Sequence, residues 1–170
     1  MARFLGIYSI LVIVGMGLLE LPMLDTFYQY FGIVLATLSG TIIRLVGAQV
    51  NIAGAVLSLP NGGFSIEVTT ECQAIELTWL YCVAILAWTA AWQDKLRWIL
   101  LGIALIQVLN VIRLISLVYL GHWYPDHFVM IHENFYPMFF GIMVILLFLN
   151  WIIFTNSSRV QHAIQPAPTF

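Results

Sequence analysis

The side chains best suited to chemistry in this chain are Cys72, Arg113 and His132. Cys72 begins a predicted helix, and a helix N-terminus favours the reactive thiolate form of a cysteine. Arg113 lies inside a long apolar run, where a charge is costly and usually faces a bundle interior or a wet cavity. A histidine such as His132 exchanges protons near neutral pH. The three residues could supply the nucleophile, the cation and the acid–base group of one site.

Each of these residues also has a purely structural interpretation. Free cysteines are often small buried apolar residues, and this is the interpretation we favour for Cys82 in mid-helix. Arg113 could extend to the outer lipid headgroups, and His132 could be an exposed loop residue. The two cysteines cannot pair within one chain if they share a helix, because ten helical residues separate them by about 15 Å.

His122, His127 and His132 recur every five residues, which raises the possibility of a metal site. This spacing does not align side chains on one helix face, and no second cluster supplies further ligands. We therefore expect neither a metal nor another cofactor.

The composition indicates that these residues are positioned by membrane helices. Of 170 residues, 62% are hydrophobic and 8% are charged, whereas soluble domains are about 45–50% apolar and about 25% charged. This excludes a soluble enzyme and a disordered chain. A net charge of -2 argues against nucleic acid as a partner, and two cysteines exclude a disulfide scaffold. We expect an all-α, polytopic membrane helix bundle formed by one domain, residues 1–155.

Four apolar stretches are long enough to cross the lipid bilayer as helices of about 20 residues. They cover residues 4–24, 73–92, 98–121 and 135–154. Residues 156–170 follow them as a polar tail, which we predict to be disordered and cytoplasmic.

Basic residues collect on the cytoplasmic side of membrane proteins, and this sets the orientation. With four spans, Arg3, Lys95, Arg97 and Arg159 all fall on that side. Both termini are then cytoplasmic, and the candidate site faces the outside of the plasma (inner) membrane.

Two segments before Cys72 have patterns of their own. Residues 27–48 are amphipathic, which predicts a helix in the membrane interface, with a fifth spanning helix as the alternative. Residues 50–71 alternate apolar and polar side chains around Asn61-Gly62, which predicts a small external β-hairpin.

Three further polar residues could support the site. Asn110 lies one turn from Arg113 on the same helix face. Glu76 lies one turn after Cys72 and could pair with Arg113, because each charge would offset the other's desolvation. Glu133 could orient His132 only if the backbone bends between these neighbours.

The order of these residues resembles the exosortase/archaeosortase family of membrane cysteine transpeptidases. The resemblance covers about residues 45–150. It is carried by Thr70-Glu71-Cys72-Gln73-Ala74-Ile75-Glu76, by Asn110-Val111-Ile112-Arg113-Leu114-Ile115-Ser116-Leu117 and by Ile131-His132-Glu133. The short chain is most similar to the exosortase H subtype. It departs from the family at Cys72-Gln73-Ala74, where many members have Cys-Ser-Gly.

The resemblance implies a catalytic site of Cys72, Arg113 and His132. Cys72 would form a thioester, His132 would transfer protons, and Arg113 would stabilise the oxyanion. It also implies secreted protein substrates with a C-terminal sorting signal, made of a short motif, a transmembrane helix and basic residues. Motifs of the Ile-Pro-Thr-Leu kind are associated with subtype H. The substrate itself, the acceptor and the oligomeric state stay open.

Two other functions compete with this one. A non-enzymatic transporter subunit or assembly factor would use Glu76 and Arg113 as a structural ion pair. A membrane redox or metal protein would use Cys72 and the outer histidines, although no second nearby thiol could resolve a disulfide.

Overall fold

The computed structural model describes residues 2–60 and 63–164. Its helices are α1 (Ala2–Leu19), α2 (Asp25–Leu45), α3 (Ile75–Ala87), α4 (Trp92–Trp123), α5 (Pro125–Met130) and α6 (Tyr136–Ile164). Its strands are β1 (Asn51–Ala53), β2 (Val56–Ser58) and β3 (Ser65–Glu67). Short 3-10 turns occur at Pro22–Leu24 and Thr70–Gln73, and a π-helical turn covers Ile131–Phe135. The prediction of an all-α membrane bundle with a small β element is confirmed.

Three helical segments of the described chain are long and apolar enough to cross a membrane, namely Pro22–Leu45, Trp92–Trp123 and Pro125–Ser157. Two shorter apolar helices, Arg3–Leu19 and Ile75–Ala87, accompany them.

The predicted helix over residues 73–92 is shorter at both ends. Ala74 adopts the left-handed conformation, with φ 55° and ψ 25°, so α3 begins only at Ile75. Trp88 is extended and ends the helix. At 1.5 Å per residue, α3 is about 20 Å long, less than the roughly 30 Å hydrocarbon core. Cys72 therefore lies in the turn before α3 rather than at the first residues of the helix.

The two long helices extend beyond their predicted bounds. α4 begins at Trp92 instead of residue 98, and the ammonium of Lys95 donates to the carbonyl of Leu86 at 2.8 Å. This bond satisfies a carbonyl of the last turn of α3. Residues 156–164, predicted to be disordered, continue α6 as helix. The rest of the predicted tail, residues 165–170, lies outside the described residues.

The N-terminal half of α4 packs with α3 and α6, and α1 packs against α3. The Tyr81 ring of α3 lies directly over Gly102 of α4, and its hydroxyl donates to the carbonyl of Trp98 at 2.8 Å. Trp151 of α6 contacts Trp98, with ring centroids 5.8 Å apart. We call this packing the aromatic region. Its buried residues are Ala74, Tyr81, Ile85, Ile106 and Trp151.

The C-terminal half of α4 packs against α2 and a three-stranded antiparallel sheet of order β1-β2-β3. In this sheet Leu57 lies opposite Ile52 and Ile66. α2 approaches the sheet closely, because a Cβ at Gly40 would lie 2.6 Å from the Ile52 side chain. We call this packing the sheet region. Its buried core includes Leu35, Ile43, Leu57, Val68, Cys72, Leu114 and Leu117.

The structure bears on both segments before Cys72. The helix predicted over residues 27–48 is α2, which contacts the sheet, the Thr70–Gln73 turn and α4. By length and composition it could span a membrane, the alternative that the sequence left open. β2 and β3 pair as the hairpin prediction requires, and β1 adds a strand that the pattern did not predict. The predicted turn residues Asn61 and Gly62 lie outside the described residues.

Candidate active site

Cys72 and His132 lie in contact although 60 residues separate them along the chain. The sulfur of Cys72 is 3.6 Å from Nε2 of His132. Thr69 adds a second polar neighbour, because its hydroxyl donates to the same sulfur at 3.6 Å. The thiol therefore has a potential proton acceptor within hydrogen-bonding distance.

The π-helical turn at Ile131–Phe135 presents the histidine. His132 stacks on Phe128, four residues earlier, with ring centroids 5.5 Å apart and an interplanar angle of 6°. π-Helical turns are rare in proteins, and those that occur are often at functional sites. The extra residue of such a turn changes the direction of the side chains that follow. The turn places Glu133 and His132 on the wall of the same cavity.

Arg113 is buried, with 7% of its surface exposed. Its guanidinium lies over the rings of Tyr136 and Phe140, at 5.5 Å and 5.8 Å from their centroids. The Tyr136 hydroxyl hydrogen-bonds to the hydroxyl of Ser116, and Ser116 donates to the Arg113 carbonyl at 2.7 Å. The aromatic faces and these bonds hold Arg113 in position.

The charge of Arg113 acts on the two reactive side chains. It lies close enough to interact electrostatically with both Cys72 and His132. Its Nε has no hydrogen-bond partner among the described residues. A buried cation with a free donor is thus available next to the thiol–imidazole pair.

The predicted ion pair between Glu76 and Arg113 is not formed. Among the described residues, the only ion pair joins Arg97 and Asp94, at 4.0 Å. Glu76 lines the same cavity as Arg113, but the guanidinium is directed to the rings of Tyr136 and Phe140. The observation that would favour a structural ion pair, and with it a non-enzymatic role, is therefore missing.

Two amide side chains of α4 hold the backbone around the nucleophile. Asn110 is fully buried and donates to the Cys72 carbonyl at 2.9 Å. Gln107 donates to the next carbonyl, that of Gln73, at 3.1 Å. Gln73 in turn donates through its side chain to the carbonyl of Tyr28 in α2 at 2.8 Å. The turn that carries the thiol is thus fixed to both α4 and α2.

The sequence analysis included Asn110 but missed Gln107, Gln73 and Ser116. A signal for two of these was present, because Gln107, Asn110, Arg113 and Ser116 recur every third residue on α4. Each residue of this series is the neighbour of the next one on the helix surface. No comparable pattern marked Gln73.

Two cavities flank the reactive pair. The first, of about 380 Å³, is lined by Arg113 and by the carboxylates of Glu71, Glu76 and Glu133. The second, of about 340 Å³, is lined by β3 and by Cys72. His132 lines both cavities, so the imidazole lies where they meet.

His122 and His127 line neither of these cavities. Within residues 2–60 and 63–164, no group of three or more His, Cys, Asp or Glu side chains is arranged to hold a metal ion. The groups brought together are a thiol, an imidazole and a guanidinium, which can attack a carbonyl, transfer its proton and stabilise the resulting oxyanion.

Comparison with known proteins agrees with this chemistry. A family model described as transmembrane exosortase (Exosortase_EpsH) matches residues 2–149, which include Cys72, Arg113 and His132. Neither a curated protein sequence nor a solved structure matches the chain. Since the match covers well over half of the sequence, the chain belongs to the transmembrane exosortase family, a family of membrane cysteine transpeptidases.

Proposed function

We propose that this protein cleaves the C-terminal sorting signals of secreted proteins through a thioester and transfers the acyl group to an acceptor. The observation that carries the proposal is the 3.6 Å contact between the Cys72 sulfur and His132 Nε2. Arg113 supports it, because this residue is buried beside the pair without a carboxylate partner among the described residues.

Acylation begins when the Cys72 thiol transfers its proton to Nε2 of His132. The sulfur then attacks the scissile carbonyl carbon and forms a C–S bond, and the carbonyl oxygen becomes an oxyanion. Arg113 stabilises this oxyanion with its charge and its free donor. One such donor is typically worth a factor of about 10²–10³ in rate.

The tetrahedral intermediate then breaks its C–N bond. His132 returns its proton to the departing amine, and the acyl group remains on Cys72 as a thioester. An acceptor amine or water attacks this thioester, His132 removes the acceptor's proton, and the thiol is restored. Amine attack completes a transpeptidation, and water attack completes a hydrolysis.

Substitution of the three residues tests the catalytic proposal. We expect Cys72→Ala, Arg113→Ala and His132→Ala each to abolish cleavage of a secreted reporter that carries a sorting signal of the Ile-Pro-Thr-Leu kind, a transmembrane helix and basic residues. Immunoblotting of the reporter measures the cleavage. Cys82→Ala, Arg97→Ala and His122→Ala are the matched controls and should retain it.

The decisive result is that of the nucleophile. A Cys72→Ala chain that inserts normally into the membrane and cleaves the reporter at the normal rate would refute the mechanism.

We also propose that the site faces the outside of the plasma (inner) membrane and that both termini are cytoplasmic. Lys95 and Arg97 lie at the end of α4 opposite to the sheet region, and basic residues favour the cytoplasmic side. The open edge of the sheet supports an extramembrane position, because unpaired backbone groups are not tolerated in lipid.

Cysteine labelling tests this orientation without a substrate. In a chain with Cys72→Ala and Cys82→Ala, new cysteines are introduced at the exposed positions Ser65 and Gln93. A membrane-impermeant maleimide should label Ser65→Cys in intact cells and Gln93→Cys only after permeabilisation. The reverse pattern would place the site in the cytoplasm and refute the proposed orientation.

A further inference from the structure

The second cavity lies along the free edge of β3. β3 is the last strand of the sheet, and β2 pairs with only one of its edges. The cavity is lined by four consecutive residues, Phe64–Glu67, and by no residue of β2. Since successive side chains of a strand point to opposite faces, a cavity lined by all four lies beside the strand rather than over one face. We call it the edge groove.

The hydrogen bonds to β2 show which backbone groups of β3 are already used. The amide of Leu59 donates to the carbonyl of Phe64 at 3.0 Å, and the amide of Val68 donates to the carbonyl of Ala55 at 2.9 Å. In an antiparallel pair, alternate residues direct their backbone groups toward the partner strand. Residues 64, 66 and 68 therefore face β2.

Ser65 and Glu67 consequently direct their backbone groups toward the edge groove. The Glu67 carbonyl already accepts from the amide of Thr69 at 3.1 Å. Among the described residues, the N–H and C=O of Ser65 and the N–H of Glu67 have no partner. The free edge thus offers two donors and one acceptor.

The edge groove reaches the nucleophile, because Cys72 and His132 line it together with Phe64–Glu67. The Phe128 ring lies beside both the Phe64 ring and the His132 ring, with centroids 4.8 Å and 5.5 Å away. Leu117 of α4 also lines the groove. A chain bound along the groove would therefore reach the Cys72 sulfur.

We infer that the substrate residues on the acyl side of the scissile bond bind the edge groove as an added strand, parallel to β3. This inference rests on the proposed function. The open edge donates and accepts hydrogen bonds at the spacing of an extended peptide, a recognised mode of peptide binding. This mode of binding uses backbone groups, so it does not require a particular side-chain sequence in the peptide.

The direction of the added strand follows from the positions of its two ends. The transmembrane helix of a sorting signal lies after the scissile bond and stays in lipid, so the segment beside the sheet is the one that precedes the bond. That segment ends at Cys72, and β3 also runs toward Cys72 along the chain. The two strands are therefore parallel, and Ser65 C=O accepts one peptide N–H.

Alkylation of Cys72 by a peptide electrophile tests the inference in the full chain. The probe is acetyl-tetra-alanine chloromethyl ketone, used on a Cys82→Ser background so that only Cys72 reports. Each alkylation rate is divided by the rate with iodoacetamide, which is too small to need the groove. This ratio separates peptide binding from thiol reactivity.

Proline substitutions remove the two free donors without removing a bond to β2. Proline is tolerated on edge strands where its nitrogen faces outward. We expect the normalised rates of Ser65→Pro and Glu67→Pro to fall about tenfold below those of Ser65→Ala and Glu67→Ala, as the loss of one hydrogen bond predicts. Equal rates for the proline and alanine variants would overturn the inference.

N-methylated probes test the same hydrogen bonds without any change to β3. They test the inference even if a proline variant fails to fold. The probe is methylated at each peptide nitrogen in turn. Since Ser65 C=O is the one free acceptor on this edge, methylation at one nitrogen should slow alkylation about tenfold and methylation at its neighbours should not. Equal rates for every probe would overturn the inference.

These outcomes are distinguishable from a failure of the proposed function. Reporter cleavage by Cys72→Ala would refute the catalytic mechanism. Loss of cleavage in Cys72→Ala would support the mechanism. If the alkylation rates were then unaffected by the proline substitutions and by N-methylation of the probe, only the inference of an added strand would be refuted.

Discussion

The two halves of α4 pack against neighbours of different kinds. In the aromatic region, Gly102 receives the Tyr81 ring and regular helices pack through apolar surfaces. In the sheet region, Asn110 and Arg113 are buried among a 3-10 turn, a π-helical turn and a short sheet. Polar side chains there bind backbone groups that irregular structure leaves free. The irregular end of the bundle is therefore the end that can hold reactive groups.

The two cysteines illustrate the difference. Cys82 is half-buried within α3 and packs against the aromatic region. Cys72 is buried in a turn, touches an imidazole and a hydroxyl, and lies beside a guanidinium. Identical thiols thus have different surroundings because one occupies a regular helix and the other an irregular turn.

The largest effect that sharpens this comparison concerns Arg113. We expect Arg113→Lys to lower kcat/KM for reporter cleavage by about 10²–10³, because an ammonium does not reproduce the planar donor fork. Arg97→Lys is the control, since the Arg97 side chain is 78% exposed at the other end of α4. Equal losses in both variants would mean that the position along α4 does not matter.

A smaller effect is expected at Asn110, which acts through the backbone of Cys72. Asn110→Ala removes the donor to the Cys72 carbonyl and leaves that group without its partner. We expect kcat to fall about tenfold, because the Cys72 thiol is no longer held in position. KM should stay unchanged, because the edge groove that binds the substrate is not altered. Asn150→Ala, at an exposed position of α6, is the control.

The Asn110 prediction fails if KM rises and kcat is kept. That result would assign Asn110 to substrate binding, or to the fold as a whole, rather than to the position of the thiol.

The smallest effect on the reaction is expected in the aromatic region. A Cβ on Gly102 would overlap the Tyr81 ring, and overpacking of this kind costs about 1–3 kcal/mol of stability. We expect Gly102→Ala to lower the Tm in detergent and to leave kcat per folded molecule unchanged. Gly141→Ala is the matched control, because its Cβ would meet nothing within 4 Å.

A Gly102→Ala chain that keeps its Tm but loses kcat would contradict the division between the two regions. It would show that packing in the aromatic region directly controls the reactive groups.

The candidate site residues could be selected from the sequence, whereas several of the helix bounds could not be predicted from it. Arg113 stood out because a charge inside an apolar run requires a reason, and Cys72 because polar residues precede it. The end of α3 and the left-handed Ala74 were missed, since apolar residues run through both ends of this helix. The extension of α6 was missed because the polar composition of residues 156–164 favours a disordered tail.

The sequence by itself determined the class of the protein and its family. The scarcity of charge requires a membrane, and the order of a cysteine, an Asn-x-x-Arg segment and a histidine identified the exosortase family, which the family match confirms. These properties depend on residue types and their order along the chain, which any sequence displays directly.

The tertiary structure alone decided which polar groups meet. It placed His132 against Cys72, directed Asn110 to the Cys72 carbonyl, and left Glu76 without its predicted partner Arg113. Such contacts depend on how separate helices are rotated and shifted along their axes relative to one another. The periodicity of residues along one helix does not define either quantity. The free edge of β3 is of the same kind, because pairing partners are set in space and not in sequence.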